Sequence, residues 1–131
     1  MAKSKGRLLA ELLSSNGIVK SDRTWGRSNY TGSSSSITEQ AIASFDKDTY
    51  RTAKYTIQVT NSTDTTYHIT ELLITHSGST THITEYGTIF TGAAPEANFT
   101  ADISGDDVRL LATATSTDAL SYKIMLQTIE V

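Results

Sequence analysis

The feature that most constrains the fold is an alternation of apolar and polar residues with a period of two. It is clearest between Tyr50 and Thr60, where the apolar positions are Ala53, Tyr55, Ile57 and Val59. Successive side chains of a β-strand point to opposite faces, so this period predicts a strand with one buried and one solvated face. Such strands fold into layered antiparallel sheets, because each strand must bury its apolar side against another layer.

Strand signals recur at regular spacing through most of the remaining chain. Clusters of Gly, Ser, Asn and Asp separate the segments, and these residue types favour turns. The connector Ser77-Gly78-Ser79 between two β-branched segments predicts a hairpin. This spacing indicates an all-β fold, an antiparallel β-sandwich or jelly roll of about eight strands. The predicted strands span residues 37–45, 50–60, 67–75, 81–91, 97–104, 108–116 and 122–130.

The first 36 residues have a different pattern. Leucines between Ser4 and Ser15 recur at three- and four-residue spacing, which predicts a short amphipathic helix that Gly17 can end. Residues 18–36 are rich in Ser, Gly, Asn and Arg, a composition typical of a flexible tether. We therefore divide the chain into a helical N-terminal arm, residues 1–36, and a β-sandwich domain, residues 37–131.

The arm is basic and the domain is acidic. Residues 1–30 contain six basic and two acidic residues, whereas residues 31–131 carry a net charge of −7. This asymmetry favours an arm that binds an acidic surface, and a solvated tail is the alternative. Trp25 could be an anchor on a partner or a lid on the local core. The candidate partner-binding residues are Lys3, Lys5, Arg7, Leu8, Leu9, Leu12, Leu13 and Trp25.

Several classes of protein are disfavoured by what the sequence contains. The chain has no cysteine, which excludes disulfides, thiolate metal sites and thiol enzymes. Glu11 interrupts the N-terminal apolar segment, so we expect no signal peptide, and no segment has the length of a membrane span. No nucleophile elbow, phosphate-binding loop or dinucleotide fingerprint occurs, so we expect no enzyme. The acidic domain and its scattered tyrosines also argue against direct binding of nucleic acid.

Three histidines in or beside the central hairpin raise the question of a metal site, because imidazole is a common metal ligand. His68 and His76 are separated by about 26 Å if they lie on one strand at 3.3 Å per residue, too far to share an ion. His82 could oppose one of them together with a nearby carboxylate. We nevertheless expect no metal ion and no cofactor. The acidic residues near Gly105 lack the spacing of a calcium loop and predict a tight turn: Asp102, Asp106 and Asp107.

Four ordered segments of the domain carry a further signal. They are TYRTAKY at 49–55, ELLITH at 71–76, TEYGT at 84–88, and 101–111, which contains ADISG and VRLL. Together they resemble a module of virion structural proteins of tailed phages, most familiar from phages of aquatic bacteria such as cyanophages. The resemblance covers about residues 44–131, and residues 3–11 resemble the start of such proteins more weakly. Gly105-Asp106 stands where the module usually has two glycines.

The resemblance implies a building block of the phage virion without enzymatic activity. Our first hypothesis is a capsid decoration, or cement, protein that docks on the particle through its N-terminal arm. The alternative is a neck, tail or fibre component that uses the sandwich for docking or host-surface glycan binding. A third is a hydrolase or lectin-like binder of surface glycans. The implied partners are the major capsid protein or neck and tail proteins, and copies of the chain in a homo-oligomer, with no membrane.

Overall fold

The computed structural model describes residues 19–21 and 24–131, which form nine β-strands. Within these residues no helix is long and apolar enough to cross a membrane. The strands are β1 (Val19–Ser21), β2 (Trp25–Ser34), β3 (Gln40–Asp46), β4 (Tyr50–Asn61), β5 (Thr66–His76), β6 (Thr81–Phe90), β7 (Ala97–Ser104), β8 (Asp107–Ala114) and β9 (Leu120–Glu130).

The strands form two sheets in which every pairing is antiparallel. The larger sheet has the order β1-β2-β9-β4-β5-β6, and the smaller has the order β3-β8-β7. The all-β antiparallel prediction is therefore confirmed. Each of the seven predicted strands corresponds to one of β3–β9, with ends that agree to within three residues.

The two sheets enclose one hydrophobic core. Alternate side chains of β4, β5 and β9 face this core from the six-stranded sheet, and Phe45 is among those that meet them from the other sheet. Ala53, Tyr55, Ile57 and Val59 have no exposed surface, so the predicted register of β4 is confirmed. Within the described residues, the opposite face of the six-stranded sheet is exposed to solvent.

Strand β2 corrects the prediction of a flexible tether. Ten residues of the predicted tether form this strand, which pairs with β9 along its whole length. Apart from Tyr30, its core-facing positions are small or polar, as at Gly26 and Ser28, so they give little apolar alternation. Tyr30 packs against the core and donates a 2.8 Å hydrogen bond to the Ser44 carbonyl on β3. The predicted helix, residues 4–15, lies outside the described residues and stays a prediction.

Candidate functional site

Of the eight predicted partner-binding residues, only Trp25 belongs to the described part of the chain. It is the first residue of β2, and its side chain is 39% exposed. Gly26 beside it is buried, so Trp25 lies on the open face of the six-stranded sheet and does not cover the core. Its role in partner binding stays a prediction. The others lie outside the described residues: Lys3, Lys5, Arg7, Leu8, Leu9, Leu12 and Leu13.

The open face of the six-stranded sheet presents side chains in regular rows, because opposed residues of neighbouring strands stand side by side. We call the rows across β2, β9, β4 and β5 the outer face. With strands about 4.8 Å apart and alternate residues about 6.7 Å apart, it measures roughly 15 Å by 27 Å. Its five rows are Trp25-Ile129-Thr52-Thr75, Arg27-Gln127-Lys54-Leu73, Asn29-Met125-Thr56-Glu71, Thr31-Lys123-Gln58-Ile69 and Ser33-Ser121-Thr60-Tyr67.

The composition of the outer face is mixed. Ten of its twenty side chains are hydroxyls or amides, six are apolar or aromatic, three are cationic and one is acidic. Several of the apolar ones are well exposed, with Met125 at 59% and Ile129 at 57%. Such a surface offers both hydrogen-bonding groups and apolar contact area, which is typical of recognition surfaces.

Three shallow grooves run along the outer face and join one another. The first has a volume of about 580 Å³ and is lined by Trp25 and Leu73 among others. The second, of about 430 Å³, is lined by Arg27 and Lys54, and the third, of about 360 Å³, by Lys123. Neighbouring grooves share lining residues, so together they form one elongated depression, which we call the furrow.

The furrow is basic although the body around it is acidic. Lys54 is 3.7 Å from the Glu71 carboxylate, and both side chains are partly exposed. Arg27 and Lys123 have no ion-pair partner among residues 24–131. Since residues 31–131 carry a net charge of −7, the furrow concentrates positive charge on one face of a negatively charged domain.

A buried polar cluster closes one end of the core. The Asn61 amide donates 3.0 Å hydrogen bonds to the carboxylates of Glu96 and Asp118, and Thr66 donates to the other oxygen of Glu96. The Glu96 backbone N–H donates to Nδ1 of His68 at 3.3 Å. These bonds connect the turns after β4, β6 and β8, and they occupy the carboxylates with partners from the chain itself. The cluster therefore has the character of a structural joint.

The three histidines occupy separate environments. His68 is buried, and burial lowers the pKa of its imidazole, although Glu85 and Glu96 oppose the shift. His76 is also buried, with Nε2 2.8 Å from the Tyr50 carbonyl and Nδ1 accepting from a backbone N–H. His82 is exposed on β6. In the described residues no three His, Asp or Glu side chains form a group that could hold a metal ion.

The acidic residues near Gly105 face different cations. Asp102 pairs with Arg109 across the β7–β8 hairpin, with Nε and Oδ1 2.8 Å apart, and this pairing lowers the pKa of the Asp102 carboxyl. Asp106 lies 3.3 Å from the Lys47 ammonium. Gly105 adopts a φ of +61° in the turn, a conformation that glycine tolerates best. The absence of a metal site and of a cofactor remains a prediction from the sequence.

Comparison with known proteins identifies the fold. No protein-family model matches the chain, and no curated protein matches it in sequence. The solved structure of the Acinetobacter baumannii phage AM24 tailspike protein matches 84% of the chain with a TM-score of 0.51 and 7% sequence identity. The described strands thus adopt a fold that occurs in a phage tailspike protein. This agrees with the phage-virion resemblance at the level of the fold.

Two further tailspike structures resemble the chain more distantly. Tailspike gp49 of Acinetobacter baumannii bacteriophage Fri1, a capsular polysaccharide depolymerase, matches 88% of the chain with a TM-score of 0.48 and 15% identity. The Acinetobacter phage vB_ApiP_P1 tailspike matches 86% with a TM-score of 0.42 and 18% identity. The chain spans only 21% to 27% of the length of these three proteins.

The expectation of a protein without enzymatic activity is corrected by this comparison. It rested on missing sequence motifs and on the virion resemblance, whereas one of the matched tailspike proteins is described as a capsular polysaccharide depolymerase. Glycan-cleaving sites depend on carboxylates brought together by the fold, which no short motif reveals. The sequence-based exclusion of enzymes therefore does not hold.

The outer face was missed by the sequence prediction. Its cations come from three strands far apart in the chain, and only the order β2-β9-β4 brings Arg27, Lys54 and Lys123 to one surface. The alternation within β4 did predict that Lys54 faces solvent. Strand β9 beside it was also predicted, but the sequence contains no signal for the order of the strands, and β2 resembled a tether.

Proposed function

We propose that the chain is a tail or fibre component of a tailed-phage virion that binds glycans of the host surface through its outer face. The observation that carries this proposal is the furrow, an exposed recognition surface on the fold shared with a phage tailspike protein. Sugars have hydroxyl edges and apolar C–H faces, which suits a surface where amides and hydroxyls alternate with aromatic and aliphatic side chains.

Capsid decoration, our first hypothesis from the sequence, has less support. It depends on the N-terminal arm, most of which lies outside the described residues, and the fold comparison favours a tail component. The sheet whose face we propose for binding includes residues 25–34, which the decoration hypothesis assigned to the arm. Association with other virion proteins and with copies of the same chain stays a prediction.

Immunogold labelling of intact particles tests the position in the virion. We expect the label on tails or fibres, and label spread over heads would contradict the proposal and return support to capsid decoration.

A second assay measures binding of the fluorescently labelled full chain to host cells. Periodate oxidation of the cell-surface glycans should abolish this binding, whereas unchanged binding would contradict a glycan receptor.

A further inference from the structure

We propose that the furrow selects acidic polysaccharides, with Arg27, Lys54 and Lys123 as the residues that contact their anionic groups. This inference rests on the proposed function and specifies the chemical class of the glycan. It starts from the position of the three cations. Arg27 and Lys54 stand in one row on either side of Gln127, so their Cα atoms are about 10 Å apart.

Lys123 extends this arrangement along the sheet. It stands two rows from Lys54, which corresponds to about 13 Å along the strand direction. A small anion could contact only one or two of these side chains at a time. An extended polyanion lying in the furrow could contact all three, because the joined grooves run past each of them.

The cations are available for a ligand. Arg27 and Lys123 have no carboxylate within ion-pair distance in the described part of the chain, and the side chain of Lys54 is 43% exposed beside Glu71. Attraction of a polyanion would be directional, since the remaining surface of the domain is acidic and repels it. The charge pattern therefore guides a polyanion to the outer face.

The charge density favours an acidic polysaccharide over nucleic acid. A nucleic-acid strand carries a phosphate roughly every 3.4 Å, so a bound strand would place many phosphates near three cations and an acidic body. Polysaccharides with one carboxylate in each repeating unit have wider charge spacing, and their uncharged sugars can contact the hydroxyl and amide groups of the furrow. Among the described outer-face residues only Trp25 and Tyr67 could stack on bases, and they lie in the first and fifth rows.

The test compares polymers on the full-length protein by affinity electrophoresis. The acidic probes are hyaluronate, alginate and polygalacturonate, the neutral probe is dextran, and the nucleic-acid probe is a single-stranded oligothymidylate. We expect at least one acidic polysaccharide to be bound, with affinity falling as NaCl is raised, and dextran to be bound weakly or not at all. Tighter binding of the oligothymidylate, or failure of all three acidic polysaccharides to bind, would overturn the inference.

Charge-removing variants locate the binding site. The double variant Arg27→Gln with Lys123→Gln should bind the acidic polysaccharide about tenfold more weakly, because two of three cationic contacts are lost. Lys47→Gln is the matched control, since Lys47 pairs with Asp48 and Asp106 away from the furrow. Unchanged melting temperatures would show that all variants are folded. Equal weakening by Lys47→Gln would overturn the assignment to the furrow.

The two proposals can fail separately. If the protein binds host cells through their glycans but Arg27→Gln with Lys123→Gln binds as tightly as the wild type, the proposed function stands and the acidic specificity is wrong. If the protein does not bind host cells and labels phage heads, the proposed function itself is wrong.

Discussion

At the scale of single residues, burial decides which side chains tolerate a charge. Ile57 has no exposed surface and lies between the two sheets, whereas Gln58 next to it projects into solvent on the outer face, opposite Lys123. The same strand therefore offers one position where a carboxylate would be unpaired in the core and one where it would be solvated beside a cation.

We predict that Ile57→Asp prevents soluble folding. A buried unpaired carboxylate costs several kcal/mol, a large part of the about 5–15 kcal/mol by which a typical domain is stable. Gln58→Asp should leave the melting temperature nearly unchanged. The measurement is thermal unfolding followed by circular dichroism, and an Ile57→Asp protein that melts like the wild type would contradict the register of β4.

His68 gives the fold a pH dependence. Its imidazole is 1% exposed, burial lowers its pKa, and Nε2 has no hydrogen-bond partner among the described residues. The unfolded chain, with an ordinary histidine pKa near 6.5, therefore takes up the proton more readily than the folded chain. Stability from this group is complete above pH 6.5 and declines as the pH falls below that value.

We predict that the melting temperature falls between pH 7 and pH 5.5, and that it falls less in His68→Phe. The phenyl ring preserves the packing against Phe90 and Phe99 but cannot be protonated. His82→Phe is the control, since His82 is exposed on β6. An identical pH slope in the wild type and His68→Phe would show that His68 does not cause the loss of stability.

At the scale of elements, the polar joint at Asn61 holds three turns together. Its amide group bridges the carboxylates of Glu96 and Asp118, and its carbonyl oxygen accepts hydrogen bonds from the Thr63 and Asp64 N–H groups. Removing the amide leaves two neighbouring carboxylates without this donor, and Glu96 is buried. The joint therefore depends on one side chain.

We predict that Asn61→Ala lowers the free energy of unfolding by about 1–3 kcal/mol, the cost of leaving buried polar groups without partners. Asn98→Ala on β7 is the matched control, because Asn98 is exposed. Urea denaturation measures both values. Equal stability of the two variants would mean that the joint contributes little to the fold.

Strand β2 changes the expected effect of truncation. Deleting residues 2–30 would remove only the predicted helix and part of the tether, and would leave a soluble domain, if the sequence prediction held. The structure instead places Trp25–Ser34 against β9, so this deletion would remove most of the cover of that strand and Tyr30 with it. An uncovered central strand with unpaired backbone groups favours aggregation.

We therefore predict that a variant lacking residues 2–30 aggregates. A variant lacking only residues 2–18 retains the paired strands and should stay soluble. Size-exclusion chromatography of the purified proteins distinguishes the two outcomes. A monodisperse and cooperatively melting product without residues 2–30 would show that β2 is dispensable for the fold.

At the scale of the whole molecule, most of the strands that could be predicted are those whose burial produces an alternation of apolar and polar residues. Strands β3–β5 and β7–β9 follow from apolar alternation, as in β4, because one side of each strand meets the core. Strand β6 is exposed along nearly its whole length, and its prediction came from the Ser-Gly connector before it and from its β-branched residues. Strand β2 shows no clear alternation, because the core-facing residues Gly26 and Ser28 are small. The furrow depends on strand order, and the order β2-β9-β4-β5 arises from pairings between residues distant in sequence.

The outer face also determines how a ligand can be held. Its rows belong to paired strands, and the backbone hydrogen bonds between these strands prevent the sheet from bending around a bound polymer. A polymer would therefore lie against one side of the protein and remain open to water on the other. Such one-sided attachment is readily reversible for a single copy, and firm adhesion would then come from many copies engaging the same polymer, through avidity.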